Sequence, residues 1–123
     1  MKYSFENLTV WKESIKLSVL IYNTTKLFPK EETYGLTSQV KRAIVSVSSN
    51  IAEGSSKSSM KDQTRFSEIA FGSLMEVLNQ IVLAYNLQYI DYKKYEEIRE
   101  EIDYVAKLLS GYRKSQIERG NKL

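Results

Sequence analysis

Two glutamates, Glu53 and Glu76, are the residues with which this chain could do chemistry. Paired carboxylates serve as general acid and base, or as oxygen ligands for a hard cation. Glu53 ends a polar row, Gln39, Arg42, Ser46, Asn50 and Glu53, whose spacings of three and four place all five on one side of a helix. Beside it runs an apolar row, Leu36, Val40, Ala43, Ile44, Val47 and Ile51, rotated by roughly a quarter to a third of a turn. A polar row next to a core-facing row meets another helix, another subunit or a ligand.

Composition weighs against catalysis. The chain has no histidine and no cysteine, which removes Ser-His-Asp and Cys-His arrangements and nearly all zinc, copper and haem ligation. Di-iron carboxylate bundles use Glu-x-x-His and cannot be built without histidine. Gly54 stands alone, with no Gly-Lys-Ser/Thr after it to cradle a phosphate. The reading is therefore no catalytic residue, no metal and no cofactor. The polar row is expected to be a structural seam: in a helical hairpin turning near residue 58, Arg42 falls near Glu76, Glu53 near Arg65, and Gln39 near Asn79 and Gln80.

The elements that must position these residues are all helical. With one proline, five glycines and no sustained alternation, apolar residues follow a period near 3.6 throughout. A first helix is predicted from about Leu8 to Leu27, stopped by Phe28-Pro29. Its stripe is Leu8, Trp11, Ile15, Ser18 and Tyr22, widened beyond one face by Val10, Leu17, Leu20, Ile21 and Phe28. A second helix starts between Glu32 and Thr37 and ends at Gly54, where left-handed backbone would close it. A third begins near Met60 after a Ser59/Asp62 capping pair and runs to about Leu87, with Phe66, Ile69, Ala70, Ser73, Val77, Ile81 and Ala84 inward. Asp91 is the expected N-cap of a fourth, whose seam is Tyr95, Ile98, Ile102, Val105, Leu109 and Tyr112. Short connections imply one all-α domain over 1–123, an antiparallel up-down-up-down four-helix bundle.

Length suffices to bury a core without staples. No basic-then-apolar segment opens the chain, and the longest apolar run, Val19 to Tyr22, is far below the roughly 20 residues of a membrane span. The expectation is a soluble, cytoplasmic protein with no membrane partner. Net charge is +3, but its distribution says more. Acids from Asp91 to Asp103 and bases from Lys107 to Lys122 largely complement the dipole of one helix. Basic residues also flank the loop between the second and third helices. Lys57, Lys61, Arg65, Arg113, Lys114 and Arg119 are the candidate phosphate contacts for RNA or DNA, each weak alone and multiplied in an oligomer. The tyrosines around Tyr85 to Tyr95 could stack bases, although bundle ends commonly carry them with hydroxyls in water. Ser38, Lys41, Val45, Ser48 and Ser49 form a further face of mostly small residues. Together with the over-wide first helix, it points to self-association.

The runs Leu8, Val10, Trp11; Tyr22, Thr25, Phe28, Pro29; Tyr34, Gly35, Leu36, Gln39, Arg42, Ala43, Ser46; and Asn50 to Gly54 resemble the four-helix-bundle family named for proteins encoded in 23S rRNA intervening sequences. Phe66, Ala70, Gly72, Ser73, Glu76 and Gln80 continue the likeness over nearly the whole chain. The resemblance implies an antiparallel bundle assembled as a homopentamer, without established enzymatic activity. Related accessory proteins of diversity-generating retroelements use basic surface to associate with nucleic acid and a reverse transcriptase, and are more basic than this chain. A protein partner such as a reverse transcriptase, with no direct nucleic-acid role, is thus the alternative to RNA or DNA binding. Gln88-Tyr89 stands where relatives often carry Gly-Tyr, a departure expected to affect that turn.

Overall fold

Phe28 and Pro29 end the first helix where the proline rule places the break, and the other boundaries follow from equally local causes. The computed structural model describes residues 1–122; the domain reading extends to Leu123, which lies outside them. Four helices are formed: α1 (Thr9–Thr25), α2 (Leu36–Ser55), α3 (Met60–Asn86) and α4 (Tyr92–Asn121), with 3-10 turns at Ser4–Asn7 and Lys30–Glu32. No strand occurs among the described residues. Each helix packs on its sequence neighbour, and α1 closes the bundle on α4. The result is the antiparallel four-helix bundle that the periodicity predicts.

Side-chain caps start α3 and α4. The Ser59 hydroxyl accepts from Asp62 N–H at 3.1 Å, and the Asp91 carboxylate from Lys94 N–H at 2.8 Å, each satisfying an orphan donor of the first turn. The 3-10 turn at Lys30–Glu32, which the periodicity does not reveal, places Glu32 to do the same for α2. Its carboxylate accepts from Leu36 N–H at 3.0 Å and from the Tyr89 hydroxyl at 2.7 Å, and these two bonds, in that order, hold it below the usual carboxylate range.

One expectation is corrected. Gly54 does not close α2 in a left-handed conformation; no glycine has positive φ, and Gly54 is buried inside the helix. What it supplies is room, because a Cβ there would lie 2.7 Å from Phe66 Cβ. The one positive φ of the described residues is Gln88, at 65°. It closes α3 with Tyr89 N–H bonded back to Ala84 O at 2.9 Å and Gln88 N–H to Tyr85 O at 3.0 Å, the paired bonds of a Schellman turn.

The core is aliphatic and follows the period closely in α2 and α4, less so elsewhere. Val10, Leu17 and Ile21 are the inward residues of α1, whereas Ile15 and Tyr22 of the expected stripe are exposed. On α3 the inner row is rotated toward α4: Leu74 is fully buried and Ile69 is 44% exposed. Both misassignments have one cause, that these helices carry apolar residues on more than one face. α3, 27 residues long, also reaches the length and apolar content of a membrane-crossing helix. Here its inner face packs on α2 and α4, as the central helix of a bundle requires.

Candidate nucleic-acid interface

At one end of the bundle α2 and α4 finish and α3 begins, and all six candidate cations lie there. Lys57 follows α2, and Lys61 and Arg65 occupy the first turns of α3. Their orientation is set by Phe66, seated against Gly54: the Lys57 ammonium lies 5.1 Å and the Arg65 guanidinium 5.4 Å from the ring centroid. From α4, Gly120 passes close to Met60, with 3.2 Å between the Met60 Cβ and a Cβ built on the glycine, bringing the last turns of α4 alongside the start of α3. Between them runs an open groove of about 590 Å³ lined in part by Met60, Lys61, Arg65, Glu68 and Ile117.

The cations are not equivalent. Arg113 donates to Glu68 at 2.6 Å, so its charge is locally balanced. Arg119 stays within its own helix, bonded to the Ser115 hydroxyl at 3.2 Å, and borders a separate hollow at the tip with Ser4, Leu8 and Tyr112. Lys57, Lys61, Arg65, Lys114 and Arg119 enter no ion pair among the described residues. They surround the end rather than converge on one point, which suits a run of phosphates better than a single bound anion.

The polar seam differs from expectation in its chemistry, though not in its register. Ser46 and Ser73, nearly equidistant from the α2–α3 loop, share a hydrogen bond of 2.8 Å, and Asn50 donates to Ser46 O at 2.8 Å and to its hydroxyl at 3.0 Å. No ion pair joins Arg42 to Glu76 or Glu53 to Arg65 among the described residues. Gln39, Arg42, Glu53 and Glu76 are exposed, and Glu76 accepts only from Gln80, at 3.3 Å. Small serines bring the helices together and direct the longer chains outward, where pairing in water gains little. Arg42 therefore does not neutralise a buried carboxylate. Nor do Glu53 and Glu76 form a carboxylate pair: Glu53 stands level with Phe66, about ten residues and roughly 15 Å along α3 from Glu76. The described residues hold no group of three or more acidic side chains suited to a metal.

Two polar features escape the sequence reading. Ser67 donates to Gln116 Oε1 at 2.6 Å across α3 and α4, with both residues buried. Continuing the α4 seam four residues past Tyr112 reaches Gln116, so the period contained the signal. The other is a carboxyl pair between α1 and α4. Burial pushes the Glu101 carboxyl above its ordinary value; its hydrogen bond with Glu13 and that neighbour's charge add to this, and Lys16 opposes it. Glu101 sits directly before Ile102 on the buried seam, which is the hint available from sequence.

The sequence matches the family described as 23S rRNA-intervening sequence protein over residues 6–111. It is also similar to a protein of unknown function from the S23 ribosomal protein family of Bacteroides thetaiotaomicron, whose crystal structure is known at 1.70 Å. Identity is 26%, the TM-score is 0.80, and the match covers 86% of this chain and 99% of that one. No curated protein matches the sequence.

Proposed function

The chain belongs to the family of 23S rRNA-intervening sequence proteins, and from that premise we propose that it is a non-catalytic, self-associating, cytoplasmic bundle that binds RNA or DNA through phosphate contacts without base-specific readout. One observation carries the reading: Lys57, Lys61, Arg65, Lys114 and Arg119 gather at one end of the bundle, outside any ion pair of the described residues. Unpaired cations spread around one end recognise the charge and spacing of a backbone, not the edges of bases. Self-association, homopentameric by resemblance, multiplies a surface that is modest on one chain.

A Lys61→Ala, Lys114→Ala double variant tests the reading by fluorescence anisotropy on labelled structured RNA and duplex DNA. Affinity is expected to fall equally for unrelated sequences, and the slope of log affinity against log salt to shrink by about two. Unchanged affinity and slope refute it. The second reading is an assembly scaffold for a protein partner such as a reverse transcriptase, with no direct nucleic-acid role. It draws on the exposed apolar residues of α1, and is favoured if neither nucleic acid binds at low salt.

A further inference from the structure

Three aromatic rings at the start of the chain form a ladder that leads away from the core. Trp11 packs against the core, the Phe5 ring meets it edge-on with 5.1 Å between centroids, and the Tyr3 ring lies within 10° of parallel to Phe5 at 6.5 Å. Burial falls along the ladder: Trp11 and Phe5 are half-buried, and Tyr3 is 65% exposed. The 3-10 turn holds its shape without the Tyr3 ring, because Glu6 N–H donates to Tyr3 O at 3.0 Å and the Glu6 carboxylate accepts from Tyr3 N–H at 2.8 Å. A lone exposed tyrosine calls for no explanation. Three rings in succession, the outermost left largely in water, make a stacking platform that packing within the chain does not use.

The platform stands at the basic end. Ser4, between Tyr3 and Phe5, borders the tip hollow of about 240 Å³ together with Ser55, Gln63, Tyr112 and Arg119. No carboxylate lines this hollow, and the acid of the turn, Glu6, already has Tyr3 N–H as a partner. Arg119 directs two of its five donors to Ser115 and keeps three for an anion. Met60 is a wall of both this hollow and the larger groove that carries Lys61 and Arg65, so cations continue from the hollow along the start of α3. Lys2, next to Tyr3, is exposed and enters no ion pair among the described residues. Tyr85, Tyr92 and Tyr95, the stacking candidates by sequence, lie at the opposite end, where α3 finishes and α4 begins. Tyr85 and Tyr95 already stack on each other there, at 4.5 Å.

We propose that this end binds single-stranded nucleic acid, an unpaired base stacking on the Tyr3 ring and the adjoining phosphate seated in the Arg119 hollow. The inference rests on the phosphate-binding reading above and adds to it the form of the nucleic acid. In a duplex the faces of each base are covered by its neighbours, so a duplex offers this end only phosphates. An unpaired strand offers ring faces as well, and every base has one, so stacking adds affinity without reading sequence. The recognised unit, a flat base on a phosphodiester, is common to RNA and DNA.

Fluorescence anisotropy on the full chain tests this with short labelled single strands of RNA and of DNA, and with a DNA duplex of the same sequence. Tyr3→Leu keeps an apolar side chain and removes the ring, whereas Tyr3→Phe keeps the ring. Single-strand affinity is expected to fall about 5- to 150-fold in Tyr3→Leu and to stay at the wild-type level in Tyr3→Phe, with duplex affinity the same in all three. Because the ring is uncharged, Tyr3→Leu should leave the slope of log affinity against log salt unchanged, while Arg119→Ala should reduce it by about 0.7 on single strands. Emission of Trp11, the only tryptophan, reports whether the ladder is in place in each variant. A strand carrying abasic sites tests the unaltered protein: wild type should lose on it what Tyr3→Leu loses on the intact strand, and Tyr3→Leu should not distinguish the two. A loss on RNA alone or on DNA alone assigns the site to that strand. Equal affinity of wild type and Tyr3→Leu for single strands, an equal loss on single strand and duplex, or wild-type binding that ignores abasic sites overturns the platform and leaves phosphate binding standing. No binding of either nucleic acid by wild type at low salt overturns the phosphate-binding reading itself.

Discussion

Replacing Gln88 by glycine should stabilise the bundle. Gln88 holds φ at 65° to complete the Schellman turn that ends α3, a conformation costing a residue with a Cβ about 1–2 kcal/mol. Glycine removes that cost and brings back about 0.5–1 kcal/mol through its freer unfolded chain. The side chain loses nothing in exchange, because Gln88 is exposed and its amide makes no hydrogen bond among the described residues. The net gain is about 0.5–1 kcal/mol, or roughly 2–5 °C in Tm for a domain of this size. Urea unfolding at one fixed protein concentration reads it as a higher midpoint with an unchanged m value. Gln88→Val is the opposing control: a β-branched residue at positive φ should lower the midpoint by about 1 kcal/mol or more. A glycine variant no more stable than wild type, together with a valine variant that unfolds like wild type, would refute the left-handed assignment and with it the magnitude.

Gly54→Ala should destabilise by about 1–2 kcal/mol in the same assay. Overpacking against Phe66 Cβ, 2.7 Å from the new methyl, exceeds the gain of about 1 kcal/mol in helix propensity, and equal or greater stability would show that the α2–α3 contact is loose. Glu101→Gln should alter the pH dependence of stability. Because burial holds the native carboxyl above its ordinary value of 4.5, wild type binds the proton more tightly when folded and loses stability as pH rises from 4.5 through the native value. The amide does not, so the variant gains on wild type at neutral pH and the advantage disappears below 4.5; parallel stability profiles would contradict the Glu13–Glu101 pairing.

Helix number, order and most boundaries were legible because local causes set them. Phe28-Pro29 stops α1, Ser59 and Asp91 cap α3 and α4, and the α4 seam alternates spacings of three and four without ambiguity. Where two faces of one helix are apolar, hydrophobicity alone cannot say which is inside, so the period favours stripes through Ile15, Tyr22 and Ile69, which lie at the surface. The polar row was legible as a register and not as a chemistry. Spacing places Arg42 across from Glu76, but the short Ser46–Ser73 bond sets the seam and leaves both longer side chains in water. The same limit applies at the basic end. Sequence clusters Lys57, Lys61 and Arg65 with Arg113, Lys114 and Arg119, yet only the packed structure shows Arg113 held by Glu68.

The central claim is that phosphate contacts at this end bind nucleic acid, and a salt titration of duplex-DNA binding by wild-type protein tests it most directly. Each phosphate neutralised contributes about −0.9 to the slope of log affinity against log salt, so the five unpaired cations, all engaged, predict about −4.5 per bound chain. A linear dependence of that steepness, equal for unrelated sequences, is the expected result. A slope near zero, or no binding at low salt, would contradict it.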